Sequence, residues 1–444
     1  MSDLFLIGAS GTRAYRAAMA AVSENIANAS TQGYARRSVH TVEANAGGSM
    51  IYYSARTQFG GTQVGGVDRA TDPYLDAGVR MTAMALNSAS ARLRWQGDME
   101  NVLNDTPTGV GQLMTTLYQN MDKLAASPSN RSLRVTTLDS IARVAEAFRQ
   151  TAGDLKQVQS GIHVEAQASV AAINRALTNL AATNDGLLRT QPGTSAHAQL
   201  LDSRDAALLE LSANANVDIS FADKGLAEVK FAGQSLVTGV TASPLALTQG
   251  TDGRLALSTS QGTALPAPAN GTLGGLFASA QTASERYASL DKLAQQFATS
   301  LNQWHAAGQT DAGGAGVPLL AYGGSPETLT ALLNDPAQLA LKSADGTPNG
   351  NLLTVSATLR GNGSAEQGWT ALIAGHAAML GATKAEQTTA QQRSDQAVAA
   401  REAVSGVDLD MEAADLLRLQ QAYSASARVL QIAKETVDSI LQII

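Results

Sequence analysis

Residues 405–444 read SGVDLDMEAADLLRLQQAYSASARVLQIAKETVDSILQII, and the reading of this stretch decides the fold. Leu409, Leu416, Tyr423, Leu430, Val437 and Ile444 recur at heptad spacing, with Leu419, Ala433 and Ile440 on the adjoining line. That spacing predicts a helix carrying one apolar seam of the coiled-coil type. Asp408, Asp410 and Glu412 fall where the helix begins and its dipole favours anions, while Arg428 and Lys434 come later. A helix ending in Leu441-Gln442-Ile443-Ile444 presents bare hydrocarbon, so something has to cover it. The seam alone leaves the cover open: the chain's own core, identical copies, or a different protein.

The opposite end carries a matching feature. Tyr15, Met19, Val22 and Ile26 form a helical stripe within residues 3–29, where only Asp3, Arg13, Arg16 and Glu24 are charged. Gly8 and Gly11 each cost about 1 kcal/mol of helix propensity relative to Ala, which makes this helix marginal alone. The first residues lack a basic start, and the apolar run Leu4–Ile7 stops at Gly8, so no cleavable secretory signal is expected. No run of 18 apolar residues occurs, and the expectation is a soluble, unprocessed chain without membrane insertion. Ser30-Thr31-Gln32-Gly33-Tyr34 ends the helix, and Gly-rich extended chain follows to Gly66.

Between these ends the pattern runs helix, sheet, helix. Residues 72–189 read as helical with breaks at Asp105-Thr106-Pro107 and Ser127-Pro128-Ser129; the part from Thr136 to Asp185 would span about 75 Å, with Gly153 and Gly161 as candidate kinks. From Asn214 to Gly275 the period falls to two, as in Val217, Ile219, Phe221 and Val229, Phe231, with glycine turns between. Residues 277–306 return to a heptad through Leu290, Phe297 and Trp304. A Gly/Pro-rich stretch then precedes a helix over 366–404, with short strands expected near 338–341 and 352–359. The expected fold is α+β multidomain: terminal coiled-coil-type helices (1–40 with 405–444, disordered in the free monomer), a long helical-bundle, rod-like domain (41–210 with 277–404), an inserted small antiparallel β domain (211–276), and a 306–363 segment with possible short strands. Length over about 150 residues gives roughly the same count of domains.

Composition excludes several functions. The formal charge of -7 gives no reason to expect nucleic-acid binding. With no cysteine there is no disulfide framework, thiolate nucleophile or Cys-ligated zinc. His40, His163, His197, His305 and His376 lack metal-ligand spacing, and surface or cap roles fit them better. Asp408-Leu409-Asp410-Met411-Glu412 alternates acids as calcium loops do, but it lacks a mid-loop glycine and reads as a helix cap. Gly8-Ala9-Ser10-Gly11 has no strand before it to make a nucleophile elbow, and Gly313-Gly314-Ala315-Gly316 lacks the lysine of a phosphate loop. No enzyme, cofactor or metal site is expected.

A resemblance gives the two ends a common purpose. Asn25-Ile26-Ala27-Asn28 followed by Gly33-Tyr34-Ala35-Arg36 resembles the N-terminal motif of bacterial flagellar axial proteins, which form rod, hook and hook-associated structures. Ser405-Gly406-Val407-Asp408-Leu409-Asp410, then Leu416–Gln421, Tyr423 and Ser426–Gln431, resemble the C-terminal signature of the hook-associated protein 1 family at the first hook–filament junction. Leu200-Leu201-Asp202-Ser203-Arg204-Asp205 and Gly271–Leu276 agree with the same family. Met411 departs from it, standing where an acid is usual, which weakens the helix dipole interaction. The 306–363 region also looks too small for the extra outer domain some members carry. The resemblance implies a structural adaptor, self-associating in a ring or tube through Tyr15, Met19, Val22, Ile26, Leu409, Leu416, Leu419, Tyr423, Leu430, Val437, Ile440 and Ile444. It further implies contacts with hook protein and hook-associated protein 3, an export chaperone on the C-terminal helix, and type III export to the extracellular flagellum. Alternatives are another axial role, flagellin-like or as the neighbouring junction protein, and a ligand-binding module in the β region.

Overall fold

The computed structural model describes residues 2–31, 33–44 and 60–442, with the side chains of Ser2, Asp3 and Leu441 outside that description. In chain order the elements are α1 (Ser2–Ala27), β1 (Arg37–Glu43), β2 (Thr62–Arg69), α2 (Pro73–Leu103), α3 (Val110–Ala126), α4 (Arg131–Arg189) and α5 (Ser195–Asn214). There follow β3 (Asp218–Phe221), β4 (Ala227–Phe231), β5 (Gln234–Thr238), β6 (Thr241–Ala242), β7 (Leu245–Gln249), β8 (Leu255–Thr259) and β9 (Ala264–Leu265). The last part holds α6 (Gly271–Ala306), β10 (Leu320–Ala321), β11 (Thr330–Ala331), α7 (Val355–Thr358), α8 (Ala365–Ser405) and α9 (Leu409–Leu441). The fold is α+β, with long helices and several small antiparallel sheets.

The chain divides into two compact units. The first comprises residues 1–84, 172–244 and 391–444; the second comprises 85–171 and 245–390.

In the first unit α1 and α9 pack antiparallel, since Gly8 lies against Leu430, Gly11 against Ser426, and Asn25 against Glu412. The two glycines that weaken α1 are the ones that let the helices approach: a Cβ on Gly8 would sit 2.8 Å from Leu430 Cγ, and one on Gly11 2.8 Å from Ser426 Oγ. β1 and β2 form an antiparallel hairpin in which Arg37 faces Arg69. The sheet β3-β4-β5-β6 is held to α4 by Asn184, which is fully buried. Its amide donates to Ala227 O at 2.8 Å and Gly239 O at 2.7 Å, and its Oδ1 accepts from Ala227 N at 3.0 Å. Those bonds satisfy backbone groups that would otherwise be orphaned at the sheet.

In the second unit the apolar stripes expected from spacing are buried. Ile141, Phe148, Leu155 and Ile162 of α4 and Leu290, Phe297, Leu301 and Trp304 of α6 are in the core with Trp369 of α8. Phe148 stands 5.8 Å from Phe297 and edge-on to Trp369 at 6.5 Å, centroid to centroid. α4 runs as one helix from Arg131 to Arg189, longer than the span read from sequence and unbroken at Gly153 and Gly161. Gly161 is where the indole of Trp95 lies, and a Cβ there would come within 2.5 Å of the ring.

Three expectations are corrected. In place of one inserted β domain over 211–276, β3–β6 and β7–β9 are separate sheets that fall in different units, with the division at Pro244 and Leu245. Alternation identifies strands but not their hydrogen-bonding neighbours, which are non-local. The strands expected near 338–341 and 352–359 are instead 3₁₀ turns at Pro336–Gln338 and Leu352–Thr354, followed by α7. Leu339, Ala340 and Leu341 are all buried, which removes the alternation a one-sided strand needs. Finally, His305 and His376 are core residues rather than surface or cap groups.

Candidate assembly site at the terminal helices

The apolar stripes of α1 and α9 are only half consumed by packing on each other. Val22 and Ala433 are buried; Tyr15, Met19, Leu416, Leu419, Tyr423, Leu430 and Val437 are half-buried; Ile26, Leu409 and Ile440 are exposed. Ile444 lies outside the described residues. Heptad reading missed a second set. Leu417 is 62% exposed and Ile432 59%, both off the heptad lines, and Met411 with Leu4, Phe5 and Leu6 of α1 is exposed too. The signal for Leu417 was its place beside Leu416: two successive apolar residues on a helix cannot both face one partner.

At the other end of the pair a polar lock joins the quoted motifs. Asn25, 1% exposed, donates from Nδ2 to Arg37 O at 2.8 Å and to Glu412 Oε2 at 3.0 Å. Its Oδ1 accepts from Tyr34 Oη at 2.8 Å and from Arg37 N at 2.9 Å. The four capacities of one amide are thus used between α1, the loop after it, β1 and α9. Glu412, 3% exposed, also stands 3.9 Å from Arg36, whose backbone N donates to Ser405 O at 2.9 Å. Burial pushes the Tyr34 hydroxyl up to about 12, so it remains a donor across the ordinary pH range.

Charge continues from the lock into α5. Burial opposes the Arg37 charge, but Asp202 at 2.7 Å and Glu24 at 2.8 Å outweigh it and hold its pKa above the usual arginine value. Asp202 is shared with Arg69, which also reaches Asp205 at 2.8 Å. Arg204 pairs with Asp205 at 2.6 Å, donates to Gly225 O at 2.7 Å, and covers the Phe221 ring. Sequence reading named Asp202, Arg204 and Asp205 but not Arg37 or Arg69; no spacing rule connects residues so far apart in the chain.

The remaining motif residues are local devices. Asn28 Nδ2 donates to Glu24 O at 2.9 Å, closing α1. Gly33 has φ +83°, a conformation that favours glycine. Asp408 caps α9, accepting from Asp410 N at 3.0 Å and Met411 N at 3.2 Å, while Asp410 is exposed in the first turn. Ser405 is buried and donates to Arg401 O at 2.9 Å. A Cβ on Gly406 would stand 2.4 Å from Glu402 O, so the turn between α8 and α9 requires glycine.

Among the described residues no group of three or more His, Asp or Glu side chains could hold a metal ion, and no helix is long and apolar enough to cross a membrane.

These motifs coincide with the regions that family comparison picks out. The family model for the helical domain of flagellar hook-associated protein FlgK matches residues 97–320, just over half of the chain. The chain belongs to the FlgK family of flagellar hook-associated proteins. A flagella basal body rod protein model matches residues 5–34, which contain Asn25 and Tyr34. The C-terminal model of the flagellar basal body rod FlgEFG proteins matches 402–443, which contain Glu412 and α9. Flagellar hook-associated protein 1 of Bacillus subtilis is 25% identical, over 96% of this chain and 95% of that protein. The Escherichia coli protein of the same name is 27% identical over 73% of this chain, and the match spans 60% of its own length. The solved flagellar hook junction protein FlgK from Burkholderia pseudomallei aligns with TM-score 0.50 and 22% identity, covering 55% of this chain and 46% of that one, a likeness of fold.

Proposed function

We infer that this FlgK-family chain is a structural, non-catalytic subunit of the flagellar hook–filament junction, and that α1 and α9 assemble it with its neighbours. The single observation that carries the reading is the pairing of α1 with α9 that leaves Leu417 and Ile432 bare while the lock at Asn25 and Glu412 is complete. A finished polar end and an unfinished apolar face fit a surface that other subunits cover. Each Leu or Ile so covered would contribute about 1.5–3 kcal/mol gross, less the ordering entropy of its segment. In this reading the covering subunits are other copies in a ring or tube, hook protein on one side and hook-associated protein 3 on the other. A chaperone would shield α9 beforehand, and the chain would reach the flagellum by type III export.

The test replaces both bare residues in the full chain, Leu417→Asp with Ile432→Asp. Because both are exposed, the purified variant should unfold within about 0.5 kcal/mol of the parent, while cells that carry it shed their filaments. Normal filaments on those cells would contradict the proposal.

A further inference from the structure

Each helix of the terminal pair keeps one long side that no described residue covers. On α9, buried Ala433 and the lock residue Glu412 face α1. Asp410, Leu417, Gln421, Arg428, Ile432 and Glu435 are exposed and follow one another at 7, 4, 7, 4 and 3 residues, one line along a helix, on the far side from α1. On α1, Gly8 and Gly11 face α9, while Ser10 faces the β1–β2 hairpin, where its hydroxyl accepts from Thr62 N at 3.1 Å. The third side carries Phe5, Ala9, Arg16, Ala20 and Ala27 at spacings of 4, 7, 4 and 7. Arg13 is the other cation there, and Glu24 at the edge is spent on Arg37 at 2.8 Å. Among the described residues neither Arg16 nor the Asp410 carboxylate has an ion pair.

We propose that the bare side of α9 docks on the third side of α1 of a second copy, with Asp410 against that copy's Arg16 and Leu417 on its Ala9. The inference rests on the reading that copies associate, and names the surfaces through which they do. Charge and shape select the occupant. The α1 side is basic and notched by alanines, which let a neighbouring helix come close; the start of α9 is acidic and offers Leu417 as the projecting side chain. Within one chain these sides point apart and cannot meet, whereas copies oriented alike place them side by side. Charge also sets the register. Gly8 lies against Leu430 and Gly11 against Ser426, so level copies would put Arg16 opposite about residue 421 and Arg428 within about one turn of Arg13, a repulsion. Sliding one copy from 421 to 410, about 17 Å, brings Asp410 to Arg16 and Leu417 to Ala9, and carries Arg428 past the end of α1. Each copy then shows a different side to each neighbour, the arrangement that continues into a ring or tube.

The chain has no cysteine, so introduced pairs report alone. Cells that make the full chain with Arg16→Cys and Asp410→Cys should, on mild oxidation, give a ladder of disulfide-linked multimers, and either substitution alone should give none. The pair cannot close within a chain, because the two residues face apart and bridged Cα atoms lie within about 7 Å. A ladder from Arg16→Cys with Gln421→Cys in its place would overturn the register. Dimers without higher multimers would overturn the side-to-side pairing, since a self-complementary contact closes on itself. A photoreactive benzophenone side chain at Leu417 keeps this contact apart from the wider reading. Its adducts between copies should fall about tenfold with Arg16→Glu, which turns attraction into repulsion, and return when Asp410→Arg is added. Adducts between copies that ignore the swap, or adducts to another protein alone, would overturn this contact and leave assembly through α9 standing; no ladder and no adduct would overturn both. Purified Arg16→Glu should melt with the parent, and a lower melting temperature would place the partner of Arg16 inside the chain and overturn the contact as well.

Discussion

Glu412 shows how much one side chain decides. Removing its carboxylate leaves the buried Asn25 amide short of an acceptor, and the same change takes the nearest acid from Arg36. An unsatisfied buried donor costs about 1–3 kcal/mol, so Glu412→Ala should lower unfolding stability by that amount in urea titration. Asp410→Ala, in the same first turn of α9 but exposed, should move it by less than about 0.5 kcal/mol. At this scale the sequence was partly legible. Asn25, Tyr34 and Asp202 stood out because their motif resembles a family's, yet their partners did not. Glu412 looked like one more acid in a first turn, and its burial comes from α1 crossing there, which no local pattern encodes. Met411 was read as weakening the helix-dipole interaction; in the structure it donates its backbone N–H to the Asp408 cap and presents an exposed apolar side chain.

Elements are joined in the second unit by two histidines whose roles the sequence hid. His305, at the end of α6, uses Nδ1 against Val317 O at 2.6 Å and accepts from Ala340 N through Nε2 at 2.9 Å. His376 of α8 meets Gln96 O of α2 at 2.8 Å through Nε2, and its Nδ1 accepts from Arg286 of α6 at 3.3 Å. Each ring needs one bare nitrogen, so the neutral form is built in. Burial, opposed by the Val317 carbonyl, lowers the His305 pKa; burial lowers that of His376 too, opposed by the Gln96 carbonyl, with Arg286 assisting. A depressed histidine binds fewer protons folded than unfolded, so its contribution is whole above the unfolded pKa of about 6.5 and drains as pH falls below it. The slope approaches about 1.4 kcal/mol per pH unit for each histidine until its folded pKa is reached. Urea titrations at pH 7.5 and 5.5 should show this loss, and replacing both histidines with glutamine should flatten the difference. Unchanged stability between those pH values in the parent would refute the coupling. Helices were the legible elements because 3.6-residue periodicity is local; α9, α6 and the apolar side of α4 were visible as written. Sheets were not, because Val229 and Leu257 alternate alike while their strands pair in different units.

For the whole molecule, the two ends of the chain are one structure. Residues 2–27 and 409–441 pack on each other, and the chain between them makes the rest of the first unit and the whole of the second. The lock at Asn25 and Glu412 secures the start of α9. Toward its far end, beyond Gln421, α9 has apolar residues on both its packed and its bare sides and fewer polar ties to α1. Helical segments of that kind gain most of their stability from packing rather than propensity. Amide hydrogen exchange, read on the free chain and again in assembled junctions, therefore tests the account most directly. Residues 421–441 should gain at least about 100-fold protection on assembly, about 2.7 kcal/mol, with little change at 411–416 beside the lock. Equal, slow exchange along all of α1 and α9 in both states would contradict it, because a neighbour would then complete nothing.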